Sequence, residues 1–389
     1  MSGQRAADHP IVPASHARDS REYSRRLGVI TSTQFQAALN GFGLGQLVGA
    51  EPITLGNWGQ NCFLTSSAGE FVLRGNPFYS WQFLSEQFFA RLLHERTSVQ
   101  VPWPYYVDQS PDIFGWSYAV MRRLPGQPLA DNTFRSALHP ESRRLIARSM
   151  GETLAALQNL QWPVSGTYDP ATGDIRPSDA HDPAAEAHVL RGPPPGLDTP
   201  AYIRHLLARA RREAPEHTTA ADEQWVEHLI AEAREALQVP FSPCFVMVDF
   251  QENNVVVTPD TQGIPADPPD NPDTVRAGRG SVGAGWRVGG VFDLHGTFFG
   301  DGEKALARQT AGYLSDSARA RAFLTAYFAR RPPRPGFAQR LQLYVLAQAL
   351  PVWLWRNPSN TPTMDRTLTL RDATGLTSDA WQELLAWIG

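Results

Sequence analysis

Three polar residues with a spacing that suits phosphate chemistry lie in the middle and second half of the chain. Asp249 follows the apolar run 244–248, and Asn254 comes five residues later. Asp293 follows another apolar run about 40 residues further on. Such a set can transfer a phosphoryl group, because one aspartate accepts the proton of the attacking hydroxyl while the asparagine and second aspartate hold Mg²⁺. The plain alternative is that the three residues only cap loops and a strand end.

Phosphoryl transfer also needs a cation at the phosphates, and here lysine is almost absent. Lys304 is the single lysine among 35 basic residues, and no G-x-x-x-x-G-K-[ST] sequence occurs. The chain therefore lacks the motif of P-loop nucleoside triphosphatases. Lys304 lies in a charged stretch, which is a poor environment for Schiff-base chemistry. Any phosphate contact that a lysine usually makes must come from an arginine.

The N-terminal part offers such an arginine. Gly56 and Gly59 form a glycine turn whose backbone N–H groups could approach phosphates. Arg74 ends the strand after the next hairpin, where it could reach the α- and β-phosphates. Glu86 lies in the following helix and could hold Arg74 in place. The alternative is that Arg74 and Glu86 form a surface ion pair of little energetic value.

The elements that must position these residues divide into two halves. Alternating apolar residues and turn residues predict an N-terminal half of short strands. Helices of 3.6-residue period are predicted at 32–42 and 80–95 in this half. The strands are expected at 53–55, 61–65, 71–74, 105–108 and 116–122.

The second half is mainly helical, with helices predicted at 143–160, 201–213, 221–237 and from 302 to the end. Residues 163–199 are rich in Pro, Gly and Asp and predict a loop or surface insertion. The two apolar runs 244–248 and 254–257 are interpreted as a two-strand hairpin, and a further strand is expected at 290–293. Half of residues 258–285 are Pro, Gly or Asp, so we expect a mobile hairpin insertion there.

We therefore expect an α+β fold with two lobes and a ligand cleft between them. The expected division is a flexible segment 1–27, a nucleotide-binding lobe 28–123 and a catalytic and acceptor-binding lobe 124–389. The 389 residues carry a net charge of −4, which gives no preference for nucleic acid. No apolar run is long enough to span a membrane. With only two cysteines, Cys62 and Cys244, the chain is expected in the cytoplasm.

In this order the residues resemble the aminoglycoside phosphotransferase-like small-molecule kinases, which have a bilobal protein-kinase-like fold. Asp249 and Asn254 match the family motif H-G-D-x-x-x-x-N, and Asp293 matches the metal-binding aspartate in place of D-F-G. Arg74, in Phe71–Arg74, is similar to the basic residue of the V-L-R strand, and Glu86 to the residue that pairs with it.

The resemblance implies ATP or GTP and Mg²⁺ as cofactors. It makes Asp249 the catalytic base and Asn254 and Asp293 the metal ligands, and it places Met121 in the hinge segment that meets the adenine. The sequence departs from the family where Met247–Val248 replaces His-Gly. Because the core set is intact, we expect an active enzyme, and a catalytically inactive nucleotide-binding relative stays an alternative.

The acceptor is expected to be a small molecule with a hydroxyl group. Residues 300–389 carry 7 Asp or Glu against 11 Lys or Arg, which does not favour a polycation. A neutral or weakly charged natural product, such as an antibiotic, suits this region better, and resistance is then the expected role. Gln251 and His295 are candidate acceptor contacts. A small housekeeping metabolite is the alternative acceptor. The many aromatic residues of this region either line the acceptor pocket or only pack its helices.

Overall fold

A computed structural model of the chain describes residues 30–53, 60–75, 77, 80–178, 199–260, 285–356 and 369–389. Gly56, Gly59 and most of the expected insertion, residues 261–284, lie outside this part. No helix in the described part combines the length and the apolar character needed to cross a membrane.

The N-terminal lobe is built on a five-stranded antiparallel sheet with the strand order β1-β2-β3-β5-β4. Helix α1 covers one face of the sheet, and helix α2 lies against the other side. These elements are α1 (Ser32–Gly41), β1 (Leu47–Pro52), β2 (Gln60–Ser66), β3 (Gly69–Gly75), α2 (Gln82–Arg96), β4 (Tyr105–Asp108) and β5 (Tyr118–Arg122). The predicted helices and four of the five predicted strands of this half are confirmed, with ends that differ by at most two residues. The strand expected at 53–55 is wrong, because β1 ends at Pro52 and Ile53 lies outside it, while residues 54 and 55 are not described. Most side chains of β1 are exposed, so no apolar run marked this strand.

Strand β3 shows how the sheet directs Arg74 toward the interior. Side chains of a strand alternate between its two faces. Phe71 and Leu73 are buried in a cluster with α1, whereas Val72 packs against the large core on the other side. Arg74 shares the face of Val72, and α2 lies on that face with Glu86 and Phe89 buried. The alternation therefore points Arg74 at α2.

The second lobe is mainly helical, as predicted. Its helices are α3 (Asn132–Ala137), α4 (Pro140–Leu157), α5 (Thr199–Glu213), α6 (Ala220–Glu232), α7 (Arg234–Leu237), α8 (Leu306–Gly312), α9 (Ser317–Phe328), α10 (Phe337–Arg356), α11 (Leu370–Ala373) and α12 (Asp379–Ile388). Most described aromatic side chains of residues 300–389 are buried in the core, which favours helix packing over a pocket lining. They are Tyr313, Phe323, Tyr327, Phe337, Tyr344, Trp353 and Trp381.

Two small sheets complete the lobe. Their strands are β6 (Gln127–Pro128), β7 (Gly166–Asp169), β8 (Asp174–Pro177), β9 (Cys244–Met247), β10 (Val255–Asp260), β11 (Gly285–Val291) and β12 (Thr297–Gly300). One sheet has the order β11-β10-β6 and the other β8-β7-β12-β9.

The predicted hairpin of runs 244–248 and 254–257 is wrong. Strand β9 pairs with β12, with Met247 opposite Thr297, whereas β10 pairs with β11 and β6. All four residues of β9 and the first three of β10 are buried. Such apolar runs show that a strand is enclosed but not which strand is its neighbour. The loop after β9 therefore bridges two different sheets.

Two other predictions need correction. Residues 163–199 contain the β7–β8 hairpin, whose turn includes Gly173 at φ +70° and whose strands bury Tyr168 and Ile175. Four-residue strands among many Pro, Gly and Asp residues give too short a periodic signal to detect. At the edges of the expected insertion, Asp260 pairs with Gly285, so residues 258–260 and 285 belong to ordered strands.

Helices α4 and α9 approach so closely at Gly151 that a larger residue does not fit. A Cβ atom at Gly151 would lie 2.1 Å from the backbone oxygen of Phe323. We predict that Gly151→Ala lowers the free energy of unfolding by about 1–3 kcal/mol, because the helices must move apart. Gly312→Ala in α8 is the matched control, since its Cβ would meet nothing closer than 3.5 Å. Chemical denaturation measures both, and equal stability of the two variants would contradict this packing.

Candidate functional site

The loop after β9 brings Asp249 and Asn254 together. Both are nearly buried, at 4% and 7% exposure. The side-chain nitrogen of Asn254 donates to the backbone oxygen of Asp249 at 2.8 Å and to its Oδ2 at 3.1 Å. Gln251 donates through Nε2 to Asp249 Oδ1 at 2.9 Å. The loop thus holds the Asp249 carboxylate in one orientation from both sides.

Asp293 is placed beside this loop by the pairing of β10 with β11. Val255 lies opposite Val291, and the backbone N–H of Phe292 donates to the backbone oxygen of Asn254 at 3.0 Å. Asp293 itself has φ +60° and is the sole non-glycine residue of the described ranges with positive φ. Aspartate tolerates this conformation better than most residues, yet it is uncommon outside turns and functional sites. The strained backbone therefore sets the direction of the Asp293 carboxylate.

Arg74 links the two lobes at this point. Its Nη1 lies 2.5 Å from Glu86 Oε2, and its Nη2 lies 3.0 Å from Asp293 Oδ1. The expectation that Glu86 orients Arg74 is confirmed. The surface-pair alternative is wrong, because the Glu86 side chain is 1% exposed and that of Arg74 is 18% exposed.

Two residues that the sequence did not reveal complete the surroundings of Glu86. Gln82 donates to Oε1 at 2.8 Å, and the Tyr105 hydroxyl donates to Oε2 at 3.2 Å. Burial raises the pKa of the Glu86 carboxyl, and Arg74 opposes that rise. Burial alone would lower the pKa of Arg74, but the Glu86 and Asp293 carboxylates raise it above its usual range. Arg74 therefore keeps its charge in the interior. In the sequence, the position of Gln82 one helical turn before Glu86 could have indicated their contact.

The loop between Asp249 and Asn254 is braced by helices α8 and α9. Gln309 accepts from the backbone N–H of Glu252 at 2.8 Å. The Glu252 carboxylate accepts from the Tyr313 hydroxyl at 2.8 Å and forms an ion pair with Arg319. Burial raises the pKa of Tyr313 well above its usual value, so its hydroxyl stays a donor. These contacts fix the loop although Met247–Val248 stands where a His-Gly pair was expected. No motif marked them in the sequence.

The site contains a second arginine, Arg308, which lies next to Asp249. The Nε of Arg308, in α8, is 3.5 Å from Asp249 Oδ1, and its side chain is 32% exposed. Arg135 of α3 donates to the Asn253 side chain at 3.2 Å. Sequence reasoning found neither residue, because both belong to helices without a recognisable motif.

The remaining predicted residues are placed less directly. Met121 is 4% exposed and lies opposite Val72 and Tyr105 in the sheet, so it belongs to the large core on that face of the sheet. His295 is partly exposed in the turn between β11 and β12, two residues after Asp293. A separate cavity of about 560 Å³ lies between α4 and the β10–β11 hairpin and is lined by none of the predicted site residues.

The oxygen atoms of Asn254 and Asp293 suit Mg²⁺. Within the described ranges, no group of three or more His, Cys, Asp or Glu residues forms a metal cage. Magnesium commonly binds through one or two protein oxygens and completes its shell with water and substrate phosphates. A site of this composition therefore fits a metal that arrives with a nucleotide.

Comparisons with known proteins bear on the family and the fold of the chain. Residues 49–266, more than half of the chain, match the phosphotransferase enzyme family. No sequence among curated proteins matches the chain significantly. The solved structure of aminoglycoside phosphotransferase APH(4)-Ia is similar with a TM-score of 0.53 and 15% identity, over 92% of this chain and 99% of that one.

Two further solved structures share the fold. The GDP complex of aminoglycoside 2'-phosphotransferase-IIIa has a TM-score of 0.51 and 12% identity, over 92% of this chain and 100% of that one. A proposed fructosamine-3-kinase from Haemophilus somnus 129PT has a TM-score of 0.50 and 15% identity, over 91% and 95% of the two chains. The family match and the shared fold define a phosphotransferase with the fold of the aminoglycoside phosphotransferases. The chain belongs to the phosphotransferase enzyme family.

The buried pair of Arg74 and Glu86 makes a prediction about stability. Glu86→Gln keeps the size of the side chain but removes the charge that balances a buried guanidinium. We expect the free energy of unfolding to fall by about 2–4 kcal/mol, less than for a fully unpaired charge because Asp293 remains. The matched control is Glu70→Gln, which removes the exposed Glu70–Arg123 pair at 2.9 Å and should cost at most about 1 kcal/mol. Denaturant unfolding curves that show equal losses would contradict the role of burial.

Proposed function

We propose that this phosphotransferase moves the γ-phosphate of ATP or GTP to a hydroxyl group of a small molecule, with Mg²⁺. The observation that carries the proposal is the convergence of Asp249, Asn254, Asp293 and Arg74 from three separate chain segments. Membership of the phosphotransferase enzyme family supports it.

Asp249 is proposed as the catalytic base. In the transfer, the acceptor oxygen forms a bond to the γ-phosphorus, the bond to the bridging oxygen breaks, and the nucleoside diphosphate leaves. The acceptor proton goes to Asp249. Hydrogen bonds from Gln251 and Asn254 hold its carboxylate for this role. The acceptor hydroxyl must therefore bind within hydrogen-bonding distance of the Asp249 carboxylate.

Asn254 and Asp293 are proposed as the residues that hold Mg²⁺, which when bound neutralises charge on the nucleotide phosphates. Arg74 would contact the α- and β-phosphates, and Glu86 would keep it in position. Gly56 and Gly59 stay predicted phosphate contacts, and Met121 a predicted contact of the nucleotide base.

The proposed acceptor is a neutral or weakly charged natural product, with Gln251 and His295 as candidate contacts. The excess of basic residues in 300–389 supports this choice over a polycation. An antibiotic acceptor and a role in resistance are one form of the proposal. The ternary complex of a thermostable APH(4)-Ia mutant with ADP and hygromycin B shows that an enzyme of this fold can hold a nucleotide and a second small molecule together. A housekeeping metabolite is the second candidate, supported by the shared fold of the proposed fructosamine-3-kinase.

The direct test is a mass-spectrometric screen of hydroxyl compounds with MgATP or MgGTP, in which the expected product has gained one phosphate. Antibiotics and common metabolites form its two arms. A chain that binds nucleotide yet transfers phosphate to no compound, and that also fails to hydrolyse ATP, would instead be a catalytically inactive relative.

The proposed base gives a prediction about kcat. Asp249→Asn keeps the shape of the side chain but removes the group that accepts the proton. We expect kcat to fall by a factor on the order of 10² or more, while the nucleotide affinity is retained. Steady-state assays with an acceptor from the screen, and calorimetric titration of nucleotide, measure the two effects. Asp174→Asn, at an exposed position in β8, is the control. Near-normal kcat in Asp249→Asn would remove Asp249 from this role.

The proposed phosphate contact of Arg74 gives a prediction about nucleotide use. Arg74→Ala should lower kcat/KM for nucleotide about tenfold to a hundredfold, the usual value of a charge-assisted hydrogen bond. Arg74→Lys should recover only part of this, because an ammonium group lacks the planar two-pronged donor of guanidinium. Arg91→Ala, on the exposed side of α2, is the control. If Arg74→Ala is folded and uses nucleotide like the wild type, the phosphates lie elsewhere.

A further inference from the structure

Arg308 is the charged side chain of α8 that lies against the proposed base. Its Nε is 3.5 Å from Asp249 Oδ1, on the oxygen that also accepts from Gln251. The other carboxylate oxygen, Oδ2, accepts from Asn254 on the proposed metal side. The side chain of Asp249 is 6% exposed and that of Arg308 is 32% exposed. The guanidinium thus reaches the surface beside the base, on the side away from the proposed metal.

The positive charge of Arg308 indicates which charge an acceptor should carry. The carboxylates of Glu86, Asp249 and Asp293 outnumber the guanidinium of Arg74, which pairs with two of them, and a nucleoside triphosphate stays anionic even with one bound Mg²⁺. A cationic acceptor would be attracted by that charge without help, and Arg308 would repel it. An anionic acceptor, in contrast, requires a dedicated positive group next to the reacting hydroxyl.

Several buried carboxylates of this lobe, one in the loop of Asp249 and two at the opposite end of β9, are already paired with arginines. Glu252 pairs with Arg319. Asp301 and Glu303 are 4% and 6% exposed, and both pair with Arg334, at 2.5 and 3.0 Å. Carboxylates held in this way act as structural anchors and not as receptors for the amines of an acceptor.

We propose that Arg308 is a specificity-determining residue that binds an oxyanion of the acceptor, a carboxylate or a phosphate, close to the hydroxyl that is phosphorylated. The preferred acceptors are then hydroxyl compounds with one anionic group, a narrower class than the neutral or weakly charged molecules above. The inference rests on the proposed function. Guanidinium suits the role because its parallel N–H donors match the two oxygens of a carboxylate or phosphate.

The experiment compares three probes with the same six-carbon polyol chain and different end groups. Gluconate carries a carboxylate, sorbitol a neutral alcohol, and glucamine an amine. The kcat/KM of each is measured with the full chain and MgATP, and products are identified by mass. The wild type should use gluconate best and glucamine worst.

Variants at Arg308 separate acceptor binding from other roles. In Arg308→Ala the ratio of kcat/KM for gluconate to that for sorbitol should fall about tenfold to a hundredfold, the loss expected for one charge-assisted contact. Arg308→Glu should reverse the order and favour glucamine. Arg209→Ala is the matched control, because it removes an exposed arginine paired with Glu213 at 2.7 Å elsewhere in the lobe. Its activity and its acceptor ratio should equal those of the wild type.

Each other outcome has a definite meaning. An equal loss of kcat for all three probes in Arg308→Ala, with the ratio unchanged, would show that Arg308 serves the transferred phosphate and would overturn the inference. If no probe reacts, the acceptors from the wider screen are sorted by charge. A set composed of cations would overturn the inference but leave the kinase function intact. Absence of transfer to any compound, together with absence of ATP hydrolysis, would refute the proposed function itself, and the specificity inference with it.

Discussion

The contact on which the rest of the site depends is the double ion pair of Arg74. A guanidinium that is mostly removed from water is stable only if carboxylates compensate the lost hydration. Glu86 of α2 and Asp293 after β11 provide that compensation from opposite lobes. One side chain therefore fixes the position of the N-terminal sheet, of α2 and of the proposed metal ligand relative to each other. Because the chain has almost no lysine, an arginine supplies the positive charge at this position. The two terminal nitrogens of its guanidinium group bind two different carboxylates, those of Glu86 and Asp293.

The second constraint is the loop that carries Asp249. Because β9 and β10 belong to different sheets, the loop between them is not held by pairing of these two strands. Contacts with other elements must therefore hold it in place. Gln309 and Tyr313 supply it through Glu252, and Asn254 closes the loop onto Asp249. This support explains how the site keeps its geometry without the His-Gly pair that is usual before the base.

The sequence predicts features that depend on local pattern far better than those that depend on distant partners. The helices and all strands of the N-terminal lobe except β1, and the contact of Arg74 with Glu86, follow from alternation, helical period and the resemblance to known kinases. The pairing of β9 with β12 does not, because a fully buried apolar strand carries no sign of its neighbour. Nor do Gln309 and Arg308, which approach the loop from helix α8 more than 50 residues away and belong to no motif.

A crystal structure of the chain with Mg²⁺ and a non-hydrolysable ATP analogue tests the central claim most directly. The account predicts that Asn254 and Asp293 coordinate the metal, and that Arg74 contacts the α- and β-phosphates while it keeps its ion pair with Glu86. The opposite result, with the phosphates bound away from Arg74 or the metal held by other residues, would contradict the assignment of this site.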